Sequence, residues 1–397
     1  MKSIIRLILK YFKNSYPDSF IKVANKIGRK YEQNINLDLL NPNQKHVMLC
    51  YLYLGDKKIS DAHHTNILRA NQMIKCLIDF GYCIDVCDCV DDFSYYALKD
   101  KKYDVILGFG HVYTLFALSN LESRKILFVT ENNPLVVSEK YAERIAYFKK
   151  RHPHVDCRKS LIRNNYYDVK QYEISDLAIV VSSNYNANTM KPYFENIYTI
   201  NSNAFFNSNF SFNPSYFREA IEKTKRHFLW FGSDGIIHKG ADILIDAFKE
   251  MPNCYLDLYG ISEPERKLVY SILGSNTHDC GRVNPLREEF IEKVVKKHCF
   301  LIFPSCSEGM STAVGTCMAH GIIPILTKDC GYEPCEYIIQ LDGWRVEDIK
   351  AAVHRVLSMS NEEILRMREG CYRYAREQFS LMHFDKSFRG IIKEIAK

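Results

Sequence analysis

The residues best suited to chemistry follow apolar, strand-like segments in the second half of the chain. One stretch reads FGSDGIIHKGADIL, where Gly232 leaves room in a loop, Lys239 supplies a cation and Gly240 precedes a predicted helix. A second reads CGRV and places Gly281 and Arg282 in a turn. Backbone N–H groups at strand ends and helix starts bind anions, and cationic side chains strengthen that binding. These two stretches therefore predict a pocket for a diphosphate.

A single carboxylate, Glu308, lies in a third stretch, SCSEGMSTAVG, after the strand-like segment CFLIFPS. A carboxylate does not help to bind a phosphate, but it accepts hydrogen bonds from hydroxyl groups. The small residues around it allow a ligand to approach the backbone closely. The following residues are predicted ligand contacts as well: Gly309, Met310, Ser311 and Thr312. A diphosphate next to a polyol describes a nucleotide-activated sugar.

Other polar clusters do not favour a metal site. His63 and His64 are adjacent, and adjacent residues of a helix point about 100° apart, so both cannot bind one ion. Cys83, Cys87 and Cys89 lack a paired CxxC spacing. We therefore predict neither a metal nor an organic cofactor.

The elements that must position these residues alternate between strands and helices. In the first half, strand-like runs occur at 46–54, 82–90, 103–110, 125–130 and 175–183, with helical patterns between them. In the second half they occur at 227–232, 254–260, 299–305 and 322–327. Such alternation predicts an α/β protein with parallel sheets covered by helices on both faces, in two doubly wound domains.

The predicted domain boundaries follow changes in composition. The Asn- and Ser-rich stretch 201–222 interrupts the alternation, so the linker is placed there. The predicted segments are 1–45 (a basic amphipathic segment), 46–205 (the first domain), 206–226 (the linker), 227–378 (the second domain) and 379–397 (a C-terminal helix that crosses back to the first domain).

Composition and charge restrict the class of protein. The chain has 397 residues, a mass of 46.3 kDa and a formal net charge of +6. Eight Lys or Arg residues and one acid fall within 1–30, so the remainder is about neutral and a nucleic-acid surface is not predicted. Scattered cysteines in apolar contexts are typical of reduced thiols in the cytoplasm. Arg6 and Lys10 interrupt any signal-peptide core.

The basic amino terminus permits two interpretations. Apolar residues such as Ile4, Ile8 and Phe12 share one helical face, with lysine and arginine on the other. Such a helix either lies on an anionic membrane surface or caps the first domain. The first interpretation predicts a cytoplasmic protein at the inner face of the cytoplasmic membrane.

The segment from Phe228 to about Gly331 resembles the donor-binding half of the retaining GT-B glycosyltransferases, especially family 4. The pair Lys239-Gly240 matches the family's Lys-Gly, and Glu308 begins its Glu-x7-Glu motif. The resemblance is also carried by Met318-Ala319-x-Gly321-x-x-Pro324. It implies two Rossmann-like domains facing across a cleft, a nucleotide-sugar donor in the second domain and an acceptor against the first.

The chain departs from the family pattern at two positions. Ser233 occupies the place of the family's arginine, and Thr316 replaces the second glutamate, which holds the nucleotide ribose in relatives. Arg282 is a candidate for the missing charge. In the first half the similarity is weaker, and two candidates for the reacting sugar remain, Glu131 after a predicted strand and His111 after Gly110.

The resemblance predicts a metal-independent hexosyltransferase that retains anomeric configuration. Lys239 would stabilise the leaving diphosphate, and Glu308 would contact the sugar. The expected acceptor is a glycan or a lipid-linked molecule in bacterial surface polysaccharide synthesis. Two alternatives remain open: a GT-B nucleotide-sugar epimerase, and a weakly active sugar-binding or scaffold member of a polysaccharide assembly complex.

Overall fold

The computed structural model describes residues 30–53, 55, 65–161 and 166–395. The chain divides into two compact units. The first consists of residues 1–129, 166–179 and 193–197, and the second of residues 130–165, 180–192 and 198–397. The predictions for the amphipathic face of residues 1–29 and for His63 and His64 lie outside the described residues.

The first sheet, most of which belongs to the first unit, has seven strands within the described residues, in the order β1-β3-β2-β4-β5-β6-β7. Strand β1 is antiparallel to β3, whereas β2 pairs in parallel with β3 and β4, and β4 with β5. The strands are β1 Tyr31–Ile35, β2 His46–Tyr51, β3 Cys83–Asp88, β4 Val105–Gly108, β5 Arg124–Val129, β6 Leu177–Val180 and β7 Ile197–Thr199. The interior residues of β2, β4 and β6 are apolar and buried because helices cover the sheet, whereas those of β1 are polar and exposed.

The second sheet lies in the second unit and is parallel throughout. In the described part of the chain it has six strands in the order β10-β9-β8-β11-β12-β13. The strands are β8 His227–Phe231, β9 Tyr255–Tyr259, β10 Thr277–Asp279, β11 Phe300–Phe303, β12 Ile323–Leu326 and β13 Ile339–Gln340. Because all of them run in one direction, their carboxyl ends meet at one edge, where α/β proteins place ligands.

Helices connect these strands. They are α1 Thr65–Asp79, α2 Asp92–Leu98, α3 Gly110–Ser119, α4 Pro134–Arg151, α5 Val169–Glu173, α6 Asn184–Ala187, α7 Pro214–Thr224, α8 Ala241–Lys249, α9 Glu263–Ile272, α10 Glu288–Phe290, α11 Thr312–Met318, α12 Val346–Leu357, α13 Asn361–Gln378 and α14 Leu381–Ile395. A π-helical turn, Ile291–Val295, continues α10, and 3₁₀ turns occur at Arg158–Leu161, Asn188–Met190 and Lys328–Cys330.

The predicted fold class is confirmed, since both sheets are Rossmann-like and interleaved with helices. Each predicted apolar run contains a strand, namely β2 to β6, β8, β9, β11 and β12. Strands β1, β7, β10 and β13 were not predicted. They have two to five residues and mixed polarity, so they lack the apolar run that marks a buried strand.

Helix α4 was not predicted either, although it has 18 residues. Asn133 caps it by accepting a hydrogen bond from the Leu135 N–H at 3.0 Å. The helix belongs to the second unit, where buried Arg144 donates to the Pro304 carbonyl at 2.6 Å. The predicted linker, 206–226, contains helix α7, and the predicted domain boundaries remain predictions.

The cysteines, the helices and the metal-ligating side chains bear on the class of protein. All fourteen cysteines lie among the described residues and are free thiols, as predicted. The helices in the described ranges include none that is both long and apolar enough to cross a membrane. Within those same ranges, no three His, Cys, Asp or Glu side chains are grouped to hold a metal ion.

Candidate functional site

Three glycines lie at the carboxyl ends of β8, β9 and β10. Gly232, Gly260 and Gly281 follow these strands, and the Gly260 N–H donates to the Gly281 carbonyl at 2.7 Å. A Cβ atom added at Gly260, where φ is +96°, would lie 2.0 Å from the Gly232 carbonyl oxygen. Glycine is therefore required at Gly260 for these loops to approach each other.

The loop after β8 brings two predicted donor-binding residues together. The ammonium Nζ of Lys239 lies 3.0 Å from Ser233 Oγ. The chain then turns at Gly240, where φ is +73°, and α8 begins. A Cβ at Gly240 would lie 2.6 Å from Pro304 Cγ, so this turn packs directly on the loop after β11. Lys239 thus has a fixed backbone and a partly exposed side chain at the edge of the sheet.

Glu265, which the sequence analysis missed, holds the middle of the same loop. Its buried carboxylate accepts hydrogen bonds from the Gly235 and Ile236 N–H groups at 3.0 Å each. It also accepts from the hydroxyls of Ser262 and Ser160 at 2.8 Å. In the sequence, Ser262 and Glu265 have the spacing of a helix capping box, which suggests only a local role.

Glu308 lies in the loop after β11 and is 9% exposed. Its Oε1 atom accepts a hydrogen bond from Ser305 Oγ at 3.0 Å and lies 3.9 Å from His238 Nε2. Its backbone N–H donates to the Asp329 carbonyl at 2.9 Å, which ties the loop to the end of β12. The carboxylate is therefore fixed on one side and retains limited access to solvent.

The next residue, Gly309, brings Glu131 to the same loop. A Cβ at Gly309 would lie 2.1 Å from the Thr130 carbonyl oxygen and 3.0 Å from the Glu131 nitrogen. Ser182 Oγ donates to the Gly309 carbonyl at 2.6 Å. Both Glu131 and Glu308 belong to the second unit. The backbone at Glu131, one of the two first-half candidates, therefore packs against the loop that carries Glu308.

Thr316, in the place of the family's ribose-binding glutamate, is buried at 1% exposure. Its hydroxyl donates to the Thr312 carbonyl at 2.7 Å and accepts from the Phe205 N–H at 3.2 Å. Nearby, Met310 Sδ accepts from the Ser202 N–H at 3.1 Å. The segment 202–207 therefore covers this face of α11, and the Thr316 hydroxyl is already engaged.

Tyr332 and His320 hold the two ends of α11. Tyr332 donates its hydroxyl to the Ser311 carbonyl at 2.5 Å, so Ser311 is held by the loop after β12. His320 is buried, and burial lowers its pKa to about 4. Its Nδ1 bonds to the Thr316 carbonyl at 2.7 Å, and its Nε2 accepts from the Asn207 N–H at 3.3 Å. A neutral ring with the proton on Nδ1 satisfies both bonds.

Two candidates remain, Arg282 and His111. Arg282 is exposed in the loop after β10, and its contact with a diphosphate remains a prediction. His111 begins α3 in the first unit, with Nε2 3.5 Å from Asp92 Oδ1. Its role also remains a prediction.

Buried Arg144 is a cation that the sequence analysis did not consider. Its guanidinium stacks on the Trp344 ring with 4.2 Å between the guanidinium carbon and the ring centroid. Burial lowers the pKa of Arg144. Arg144 donates a hydrogen bond to the Pro304 carbonyl, and it thereby supports the loop that carries Glu308.

One protein-family model matches a segment of the chain. Residues 225–362 match the family described as "Glycosyl transferases group 1", and this range contains Lys239 and Glu308. No curated protein sequence matches the chain.

Three solved structures share the fold. A sucrose-phosphate synthase from Thermosynechococcus elongatus has a TM-score of 0.58 and 13% identity, and the alignment covers 89% of this chain and 99% of that one. Anabaena HepE in complex with UDP-glucose gives 0.56 and 11%, with 88% and 99% covered. WaaG, a glycosyltransferase involved in lipopolysaccharide biosynthesis, gives 0.53 and 14%, with 87% and 99% covered. The chain has the GT-B fold, and its residues 225–362 are similar to the group 1 glycosyltransferases.

Proposed function

We propose that this protein transfers a sugar from a nucleotide-diphosphate donor to a glycan or lipid-linked acceptor, with retention of anomeric configuration. One observation carries the proposal: the loops bearing Lys239 and Glu308 pack against each other at the carboxyl ends of β8 and β11. Both lie inside the segment that matches the glycosyltransferase family. A cation and a carboxylate on two loops that pack together suit the two halves of an activated sugar.

The diphosphate would bind where the backbone is most accessible. Gly281 has open space where a side chain would be, at the edge of the sheet, and Lys239 adds a positive charge. Negative charge builds up on the diphosphate as the glycosidic bond breaks. A fixed cation aimed at that charge lowers the barrier, because it stabilises the transition state more than the bound donor.

The proposed chemistry is a front-face displacement. The bond between the anomeric carbon and the diphosphate oxygen breaks, and the acceptor oxygen forms its bond on the same face of the sugar. The acceptor's hydroxyl proton passes to the departing phosphate oxygen. Glu308 would accept hydrogen bonds from sugar hydroxyls. Lys239 and backbone N–H groups would take the place of a divalent metal.

The setting we propose is bacterial surface polysaccharide synthesis, at the cytoplasmic face of the membrane. The basic sequence of residues 1–30 supports attraction to anionic lipids. WaaG, which shares the fold, is involved in lipopolysaccharide biosynthesis.

The experiment is turnover of a nucleotide-sugar panel, beginning with UDP-glucose because HepE binds it. Each donor is incubated with and without glycan and lipid-linked acceptors, in EDTA and in Mg²⁺. We expect release of nucleotide diphosphate that depends on an acceptor. An α-linked donor should give an α-linked product, and EDTA should not lower the rate. Interconversion of the donor without acceptor would instead indicate an epimerase. Donor binding without turnover would indicate a scaffold.

A further inference from the structure

His238, which precedes Lys239, is fully buried and bonds to the loop after β11 through its backbone. Its carbonyl oxygen accepts a hydrogen bond from the Cys306 N–H at 2.9 Å. The same oxygen lies 3.3 Å from Ser305 Oγ. Ser305 also lies 3.0 Å from Glu308, so one main-chain oxygen reaches two residues of the loop that carries the carboxylate.

The imidazole ring contacts the same loop through both nitrogens. Nδ1 lies 3.4 Å from Cys306 Sγ, and Nε2 is hydrogen-bonded to the Ser307 carbonyl oxygen. A carbonyl oxygen can only accept a hydrogen bond, so the proton of the neutral ring is on Nε2. Nδ1 then carries no proton and can accept a hydrogen bond from the Cys306 thiol. A neutral ring therefore satisfies both contacts, with the tautomer assigned from its partners.

The ring is also confined on its remaining sides. Tyr141 of α4 packs edge-on, with 5.5 Å between the ring centroids. Glu308 Oε1 lies 3.9 Å from Nε2. The next residue, Lys239, has its carbonyl oxygen 3.3 Å from Trp230 Nε1, so the backbone on that side is held as well. A side chain with this many fixed neighbours has little freedom to move.

We propose that His238 is a positioning residue that sets the distance between Lys239 and Glu308. It is covalently next to the cation and hydrogen-bonded to Cys306 and Ser307, the two residues immediately before the carboxylate. Leaving-group stabilisation and sugar contact must occur in one geometry, and errors of about 1 Å in such geometry cost about 100-fold in rate. His238 would act on the reaction only through these two groups. This inference rests on the proposed function.

The test compares His238→Ala with two variants that each restore one contact. Glutamine can donate from its amide to the Ser307 carbonyl, whereas asparagine can reach only as far as Cys306. We expect His238→Ala to lower kcat about 100-fold with the Kd for UDP changed less than about threefold. His238→Gln should recover most of that loss, and His238→Asn less. His298→Gln, which alters another buried histidine of the same unit, is the matched control and should keep its kcat.

A second readout does not require activity. Hydrogen exchange of peptides covering 304–310 should be about tenfold faster in His238→Ala than in the native chain, and near native in His238→Gln. Equal exchange in all variants would overturn the positioning role, whether or not the enzyme turns over. If His238→Ala keeps its kcat while the native chain is active, the inference fails and the proposed function stands. If the native chain turns over no donor, the proposed function fails, and exchange still decides whether His238 holds the loop.

Discussion

Replacing Thr316 with valine distinguishes a packing role from a ligand-binding role at the position where relatives bind ribose. Valine keeps the shape of the side chain and removes the hydroxyl. In the structure that hydroxyl accepts the Phe205 N–H at 3.2 Å and donates to the Thr312 carbonyl at 2.7 Å. The substitution therefore removes the acceptor on which Phe205 depends.

The expected cost follows from burial. Thr316 is 1% exposed and its bond with Phe205 is partly buried, so water replaces the lost bond only in part. Leaving a buried N–H unpaired costs about 1–3 kcal/mol. We expect the free energy of unfolding of Thr316→Val to fall by about that amount. Thr316→Ser keeps the hydroxyl and loses one methyl group, so it should cost only about 1 kcal/mol.

The assay pairs urea denaturation with calorimetric titration of nucleotide diphosphate. We expect Thr316→Val to be less stable than Thr316→Ser. Both variants should bind nucleotide diphosphate with equal affinity. The opposite pattern would refute the reasoning: native stability in Thr316→Val together with affinity weakened tenfold or more. That outcome would mean that segment 202–207 leaves α11 when nucleotide binds.

Further predictions concern charge, pH and the amino terminus. Lys239→Ala should lower kcat by about 100- to 1000-fold, because it removes the cation that is proposed to face the leaving group. Lys328 is an exposed lysine of the same unit, and Lys328→Ala should leave kcat unchanged. Glu308→Gln should lower kcat far more than nucleotide affinity, and calorimetry showing the reverse would assign the carboxylate to the nucleotide. Because burial lowers the pKa of His320 from 6.5 to about 4, the unfolded chain binds more protons between those values. Stability should therefore fall as the pH drops from about 6.5 to 4, by up to about 1.4 kcal/mol per pH unit, and the dependence measured by urea denaturation should weaken in His320→Gln. Deleting residues 1–30 should abolish binding to anionic liposomes with little change in Tm, whereas a large drop in Tm would favour the capping interpretation.

The sequence was sufficient for features that depend on local periodicity. Apolar runs identified the central strands, and the residues just beyond them, Lys239 and Glu308, therefore fell at the same edge of the sheet. The proximity of Ser233 to Lys239 follows from a short loop. Helix α4 was missed because its 18 residues have a mixed face rather than a clear apolar stripe.

The residues that support the site could not be predicted in this way, because their partners are distant in the chain. His238 bonds to Ser307, 69 residues away, and Glu265 to Ser160, 105 residues away. In the sequence, His238 is one residue of a loop, and Glu265 looks like a helix cap. Periodicity describes how a segment buries its own side chains, whereas such hydrogen bonds depend on which loops the fold brings together.

Thr316 shows how this limit affects the interpretation of a motif. The sequence pattern presents it as a glutamate lost from Glu-x7-Glu, and hence as a weakened ribose contact. The structure gives threonine a function of its own, since a short hydroxyl fits between α11 and the Phe205 N–H, 111 residues earlier in the chain. A glutamate there would place a charge in a buried position, at a cost of several kcal/mol unless a partner or water reached it. Segment 202–207 and Thr316 are therefore suited to each other, and a contact between Thr316 and a nucleotide ribose remains a prediction that the Thr316→Val titration tests.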